Sequence, residues 1–298
     1  MLASNHTDKK LLPVLDVKAY QNELIYGGYI HALGGPCMVM TTSIITNINI
    51  SLPLLIITYL IPLTVYGFDY YRDMDKDKDT NPERASYYRR RSQIYPYILG
   101  SYVAILAVCL IFFTNWVMIS FIIALTLGSM LYPLGLKNFT KKIPAFKNMF
   151  TTLIWALAGT FSVVFFYTVN TSITFLLIFL FIYMRMLPNT IFYDLKDIKN
   201  DTKDKLKTVP AVIGKQNTIK LLFLANILAF VPLYVGIYLK ICPVFVIIMT
   251  FFLFYSFYYL FKTYQIGKDE IKRDYYLLSD VEFMMWPVIL FMGKLLFT

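Results

Sequence analysis

Histidine and cysteine are nearly missing from this chain, and charge is scarce. Its 298 residues hold two histidines, His6 and His31, and three cysteines, Cys37, Cys109 and Cys242. The cysteines stand singly in apolar segments, with no paired spacing for a disulfide framework or a zinc site. A metal held by this chain is therefore expected to be a hard ion on oxygen ligands. Only 15% of the residues are charged, against about a quarter in soluble domains, which excludes an ordinary soluble fold. In place of charge the chain carries 58% apolar and 17% aromatic residues. That is the composition of a polytopic membrane protein.

Apolar runs of about 18 residues or more predict about nine transmembrane helices, near 25–46, 50–68, 94–114, 116–135, 149–168, 172–192, 218–238, 243–262 and 279–297. The first two dozen residues are polar and carry Lys9, Lys10 and Lys18, so no signal peptide is read there. The net charge of +10 does not point to nucleic acid, because the basic residues alternate between connections. They gather between runs two and three, four and five, six and seven, and eight and nine, while the intervening connections are short and nearly uncharged apart from Lys240. By the positive-inside rule the amino terminus and the long loops are expected in the cytoplasm, and an odd helix count puts the carboxyl terminus outside.

Acidic residues are rarer still, yet they cluster. DYYRDMDKDKDTNPER, residues 69–84, follows the second apolar run, and YDLKDIKNDTKDKLKTVP begins where the sixth ends. Asp69 and Asp194 are about 125 residues apart, and Asp77 and Asp201 about 124, which predicts one domain, 1–298, of two equivalent halves, 25–135 and 149–262, plus a ninth helix. At about 100° per residue, Asp69, Asp73 and Asp77 drift over only about 80°, and Asp194, Asp197 and Asp201 over about 60°. Each cluster thus presents one carboxylate face, with Asp75 and Asp79 pointing off the first. Like charges this close repel, and ionised groups near a membrane interface are costly unless a divalent ion lies between them. Magnesium takes oxygen ligands, usually one or two carboxylates together with substrate phosphates. Two such faces fit ionisation of an allylic diphosphate, with the apolar bundle taking the isoprenoid tail and excluding water.

At these residues the sequence resembles the UbiA superfamily of intramembrane prenyltransferases. The second motif matches well: DLKDIKNDTKDKLKTVPAVIGK has the family's three spaced aspartates and its Thr-x-Pro-x-x-x-Gly ending, here Thr208, Pro210 and Gly214. In the first motif, aligned on NPER, Asp73 and Asp77 take the last two aspartates, Asp69 takes the family's asparagine, and Tyr70 replaces the first aspartate. LYPLGLKNFTKKIPAFKN is similar to the family's tyrosine-to-lysine stretch, with Tyr132, Lys-Lys-x-Pro at 141–144 and Asn148.

The resemblance implies an all-α bundle of nine helices around a laterally open cavity, with the Asp-rich motifs at its cytoplasmic mouth. It implies Mg2+ on Asp69, Asp73 and Asp77 and on Asp194, Asp197 and Asp201, of which Asp73, Asp77, Asp194 and Asp197 are the catalytic candidates. It further implies diphosphate on lysines among Lys137, Lys141 and Lys142, joined by Arg84, with Tyr132 beside them. The expected partners are a polyprenyl diphosphate donor, a lipophilic acceptor and the lipid bilayer, with no nucleic acid.

Arg185, inside the sixth run, is expected to mark a cavity rather than to snorkel to the interface, and with Asn189, one turn further along the same face, to bind the diphosphate or the acceptor. His31 reads as a polar helix contact rather than a base, since nothing else in its helix supports chemistry. A terpene cyclase on the same scaffold and a cation transporter are the alternative activities.

Overall fold

The computed structural model describes residues 17–78, 81–266 and 273–297, apart from the side chains of residues 17–19, Pro133, Lys137 and Arg273. The described chain is helical: α1 (Val17–Tyr26), α2 (Tyr29–Ala32), α3 (Gly34–Thr46), α4 (Leu52–Arg72), α5 (Pro82–Arg90), α6 (Tyr95–Phe113), α7 (Trp116–Leu131), α8 (Lys137–Thr140), α9 (Phe146–Tyr167), α10 (Ile173–Tyr193), α11 (Ile198–Lys203), α12 (Val209–Leu228), α13 (Val231–Tyr238), α14 (Phe251–Gln265) and α15 (Arg273–Phe297).

Among the described residues seven helical spans are long and apolar enough to cross a membrane, and they match seven of the predicted runs. The other two differ for visible reasons. Run 25–46 is divided into α1, α2 and α3, with Gly28 between the first two at φ 79, a left-handed conformation that glycine adopts at little cost. Run 279–297 lies within the longer α15, which carries Asp280 and Glu282 among its apolar residues.

Two apolar clusters build the bundle. One packs Met38 of α3 and Trp155 of α9 against Phe181 of α10, Phe252 of α14 and Trp286 of α15. The other packs Val39 of α3 and Val163 of α9 against Ile57 of α4, Leu110 of α6 and Ile122 of α7. Helices α3 and α9 serve both, so they form a spine between the two clusters. In span Ile173–Lys196 the most apolar stretch is 61% buried, but in Tyr95–Phe113 only 17%. Helix α10 is therefore a core element, and α6 turns most of its apolar surface outward, as a lipid-facing helix must.

The polar segments fold over one end of this bundle. α5 places Tyr87 and Tyr88 against Tyr95, with Tyr70 and Tyr71 of α4 packed alongside. The loop between α8 and α9 is pinned to the one before α12 by two backbone bonds, Lys207 N–H to the Thr140 carbonyl at 2.9 Å and Ala145 N–H to the Lys207 carbonyl at 3.0 Å. The lysine-rich stretch is thereby held against the second acidic segment.

Candidate active site

The first acidic segment continues the rise of α4. Asp73 N–H donates to the Asp69 carbonyl and Asp77 N–H to that of Asp73, each at 2.9 Å, so the three carboxylates keep a helical register past the end of α4. Arg72 reaches back across two of them, with Nη2 donating to Asp69 Oδ1 at 2.9 Å and Nε to Asp73 Oδ1 at 2.8 Å. The Arg72 hydrogen bond holds the Asp73 carboxyl below its usual range. Arg84 donates from Nη2 to Asp77 Oδ2 at 2.6 Å, and its guanidinium lies 4.0 Å from the centre of the Tyr70 ring. Tyr70, where the family pattern has an aspartate, thus steers Arg84 through its ring face. Both arginines retain a buried N–H without an acceptor among the described residues, at Arg72 Nη1 and Arg84 Nε. Such donors suit the oxygens of an anion.

The second segment is built differently. α10 passes into a short 3-10 turn, Asp194–Lys196, and Asp201 N–H donates to the Asp197 carbonyl at 2.8 Å. Asp194 is buried and accepts from Lys147 Nζ at 2.7 Å and Asn148 Nδ2 at 2.8 Å. Asp201 accepts from Thr208 Oγ1 at 2.8 Å. Thr208 caps α12, Pro210 sits in its first turn, and Gly214 breaks its regularity at φ 76, ψ 164, a conformation that suits glycine. Burial lifts the Asp197 carboxyl above its ordinary value, against the pull of Lys196, Lys147 and Arg84. Burial also pushes Asp201 up to about 6. Arg84, paired with Asp77, thus acts electrostatically on Asp197 across the gap between the segments.

Beside Asp69 of the first acidic segment opens a cleft of about 110 Å³, lined by Asp69 at its polar end and by Pro62, Tyr66, Tyr132, Phe150 and Trp155 along its apolar walls. Trp155 Nε1 donates to the Tyr66 hydroxyl at 3.0 Å, which sets both rings. Tyr132 shares a 2.9 Å hydrogen bond with Thr140 Oγ1, in the segment tied to Lys207. Among the described residues no three carboxylates converge on one point. A hard cation here would be held by one or two carboxylates, the remaining oxygens coming from a ligand.

Asp69, Asp73, Asp77, Asp194, Asp197, Asp201, Arg84 and Tyr132 all lie in these segments or line the cleft. Lys141 and Lys142 are exposed on the α8–α9 loop, and the Lys137 side chain lies outside the described residues, as does Asp79. The lysine that meets the acidic segment is Lys147, which the sequence reading counted only as a loop charge. Its place beside Asn148 was the available signal. Arg72 was also passed over, although its position between Asp69 and Asp73 is plain in the sequence.

Arg185, expected at a cavity, has partners on two other helices. It is buried, pairs with Glu282 of α15 and donates to Asn226 of α12. Asn189 likewise donates to the Ser279 carbonyl of α15 at 3.1 Å. The charge is paired because an ion of either sign is expensive alone at this depth.

The fold and site together define an intramembrane helical bundle with an aromatic-walled cleft beside the first of two acidic segments. The chain belongs to the UbiA prenyltransferase family, whose sequence model matches residues 29–286. Among solved structures it is similar to a UbiA homologue from Aeropyrum pernix K1, at 12% identity over 90% of this chain and 98% of that one, with TM-score 0.63. A UbiA homologue from Archaeoglobus fulgidus bound to GPP and Mg2+ matches at 14% identity over 92% and 98%, also with TM-score 0.63. A digeranylgeranylglyceryl phosphate synthase matches at 14% identity over 94% and 98%, with TM-score 0.57. Identities this low show a shared fold. No curated protein sequence matches the chain.

Proposed function

We propose that this protein is a magnesium-dependent membrane prenyltransferase. It would ionise a polyprenyl diphosphate at the acidic mouth and transfer the prenyl group to a lipophilic or amphipathic acceptor. The observation that carries this reading is the pair of unsatisfied guanidinium donors, Arg72 Nη1 and Arg84 Nε, beside carboxylates at the polar end of an apolar cleft. A diphosphate supplies the missing acceptors and its tail suits the cleft. The solved homologue with GPP and Mg2+ supports the same pairing of ligands.

The donor set suits magnesium. Every candidate ligand is a carboxylate oxygen, and burial of Asp197 and Asp201 carries an electrostatic cost that a divalent cation relieves. Asp69 and Asp73 would hold the ion on the α4 side, and Asp197 and Asp201 on the α10 side. When bound, magnesium neutralises charge on the departing diphosphate. Arg72, Arg84 and Lys147 would hold phosphate oxygens, Asp77 would aim Arg84, and Asp194 would aim Lys147. Tyr66, Tyr132 and Trp155 would present ring faces to the cation and exclude water. The alternating loop charges support a site on the cytoplasmic side.

The test is diphosphate release from geranylgeranyl diphosphate by purified protein with and without magnesium. Release that requires magnesium and falls at least about 100-fold in both Asp73→Ala and Asp197→Ala is expected. Wild-type release indifferent to magnesium, or unchanged in either variant, would overturn the assignment. Geranylgeranylglyceryl phosphate, suggested by the synthase relative, and 4-hydroxybenzoate are the first acceptors to supply. Cyclised product formed without either would favour the cyclase reading.

A further inference from the structure

Below the acidic mouth a second polar constellation takes no part in holding the diphosphate. Asp280 of α15 lies with Oδ2 3.6 Å from His31 Nδ1 of α2, and the same oxygen accepts from the Tyr193 hydroxyl at 2.5 Å. The His31 ring meets Tyr66 edge-on at 4.9 Å between centres and Trp155 edge-on at 5.5 Å. Both of these aromatics line the cleft, as does Gly35, one helical turn beyond His31. The imidazole is about one-third exposed while the carboxylate is only 15% exposed. Tyr66 precedes Asp69 by one turn on α4, and Tyr193 directly precedes Asp194. The pair is thus joined to a residue one turn before Asp69 and to the residue next to Asp194.

We infer that His31 is the base that takes the acceptor's proton during prenyl transfer, and that Asp280 is its positioning residue. This rests on the prenyltransferase reading above. A proton on Nδ1 would face Asp280 Oδ2 at 3.6 Å, longer than a hydrogen bond in this structure, and would leave the lone pair of Nε2 for substrate. In the transfer step the C1–O bond of the donor breaks and its electron pair leaves with diphosphate. A new bond forms from C1 to the acceptor's nucleophilic oxygen or ring carbon. The acceptor's proton passes to Nε2, giving an imidazolium that Asp280 stabilises, and no oxidant or reductant is involved. The 3.6 Å separation leaves room for the pair to close as that charge appears. The alternative, a packing contact, leaves unexplained why a carboxylate from the far end of the chain is placed against a partly open imidazole at the cleft wall.

Transfer and diphosphate release are measured side by side for wild type, His31→Ala and Asp280→Asn, using geranylgeranyl diphosphate, magnesium, and geranylgeranylglyceryl phosphate or 4-hydroxybenzoate. The expected result is that His31→Ala loses about 100-fold or more in transfer relative to release, with KM for the donor kept. Its released prenyl group would appear as the alcohol, and added imidazole would restore part of the transfer. Asp280→Asn should lose less, in kcat rather than KM. Equal losses of transfer and release, transfer unchanged in His31→Ala, or wild-type release with transfer to neither acceptor would each overturn the base assignment. Wild type that releases no diphosphate at all would instead overturn the prenyltransferase reading on which the assignment stands.

Discussion

The two acidic segments are alike in spacing and unlike in electrostatics. Around Asp69, Asp73 and Asp77 the countercharges belong to the same stretch, Arg72, Lys76 and Arg84. Around Asp194, Asp197 and Asp201 the one directly bonded cation among the described residues is Lys147, from α9, with Asn148 and Thr208 supplying neutral donors. Asp73 is accordingly held below its normal range, while Asp197 and Asp201 are held above theirs. The first segment is a partly exposed ion-pair network in which each of the three carboxylates is bonded to an arginine. The second is a partly buried set whose charge is costly until something divalent arrives. Matching carboxylates in matching places are thus partnered differently, by cations of their own stretch in one segment and by a lysine of α9 in the other.

The largest effect that would break this contrast is on stability. Asp194→Ala leaves the Lys147 ammonium unpaired beside a buried site and should cost about 3 to 5 kcal/mol, read as a fall in thermal midpoint of the purified protein. Asp73→Ala, on the solvated side, should cost less than about 1 kcal/mol by the same measurement. Equal losses would erase the distinction between the segments.

Asp201 sharpens it next. A carboxyl raised in the folded state binds its proton more tightly there than in the unfolded chain, so its contribution to stability falls as pH rises from about 4 through about 6 and stays lost above. Asp201→Asn keeps an acceptor for Thr208 and removes the charge. Without magnesium it should stabilise the protein at pH 7 by up to about 3 kcal/mol and flatten the pH dependence between 4 and 6. Wild type should gain more stability from added magnesium than Asp201→Asn does, and a variant that gains as much would show that Asp201 is no ligand.

Tyr70→Asp tests the first segment from the other direction. It restores the carboxylate of the family pattern and removes the ring beneath Arg84. The expected outcome is a several-fold fall in the magnesium concentration for half-maximal diphosphate release, equivalent to about 1 kcal/mol. The smallest effect belongs to Arg89→Ala, which breaks an exposed pair with Asp75. Stability should change by less than about 0.5 kcal/mol and diphosphate release not at all, since Asp75 points away from the cleft.

Much of this protein was legible before any contact was known. The apolar runs, the alternating loop charge and the two aspartate spacings depend on local periodicity and bilayer thickness, which act through neighbouring residues. Lys147 was hidden because four lysines lie between α7 and the first turn of α9, all equally suited to a connecting loop. Which one turns inward depends on the backbone bonds between Lys207, Thr140 and Ala145. Arg185 was visible as an anomaly but not explained, because its partner Glu282 is about 97 residues away on α15. His31 was dismissed for want of support within its own helix, and the support came from Asp280 on the last one.

The sequence by itself determined that this chain crosses the membrane repeatedly, that its charge gathers on one side, and that two triplets of aspartate sit where helices leave the lipid. Those are properties of composition and period. Only the tertiary structure decided which cations face those aspartates, that Tyr70 steers Arg84 instead of supplying a ligand, that the charge at Arg185 is spent on a helix pair, and that a histidine and an aspartate meet at the cleft wall. The reason is that hydrogen-bonded pairing needs donor and acceptor within about 3 Å, and such distances are set by how helices far apart in the chain pack together.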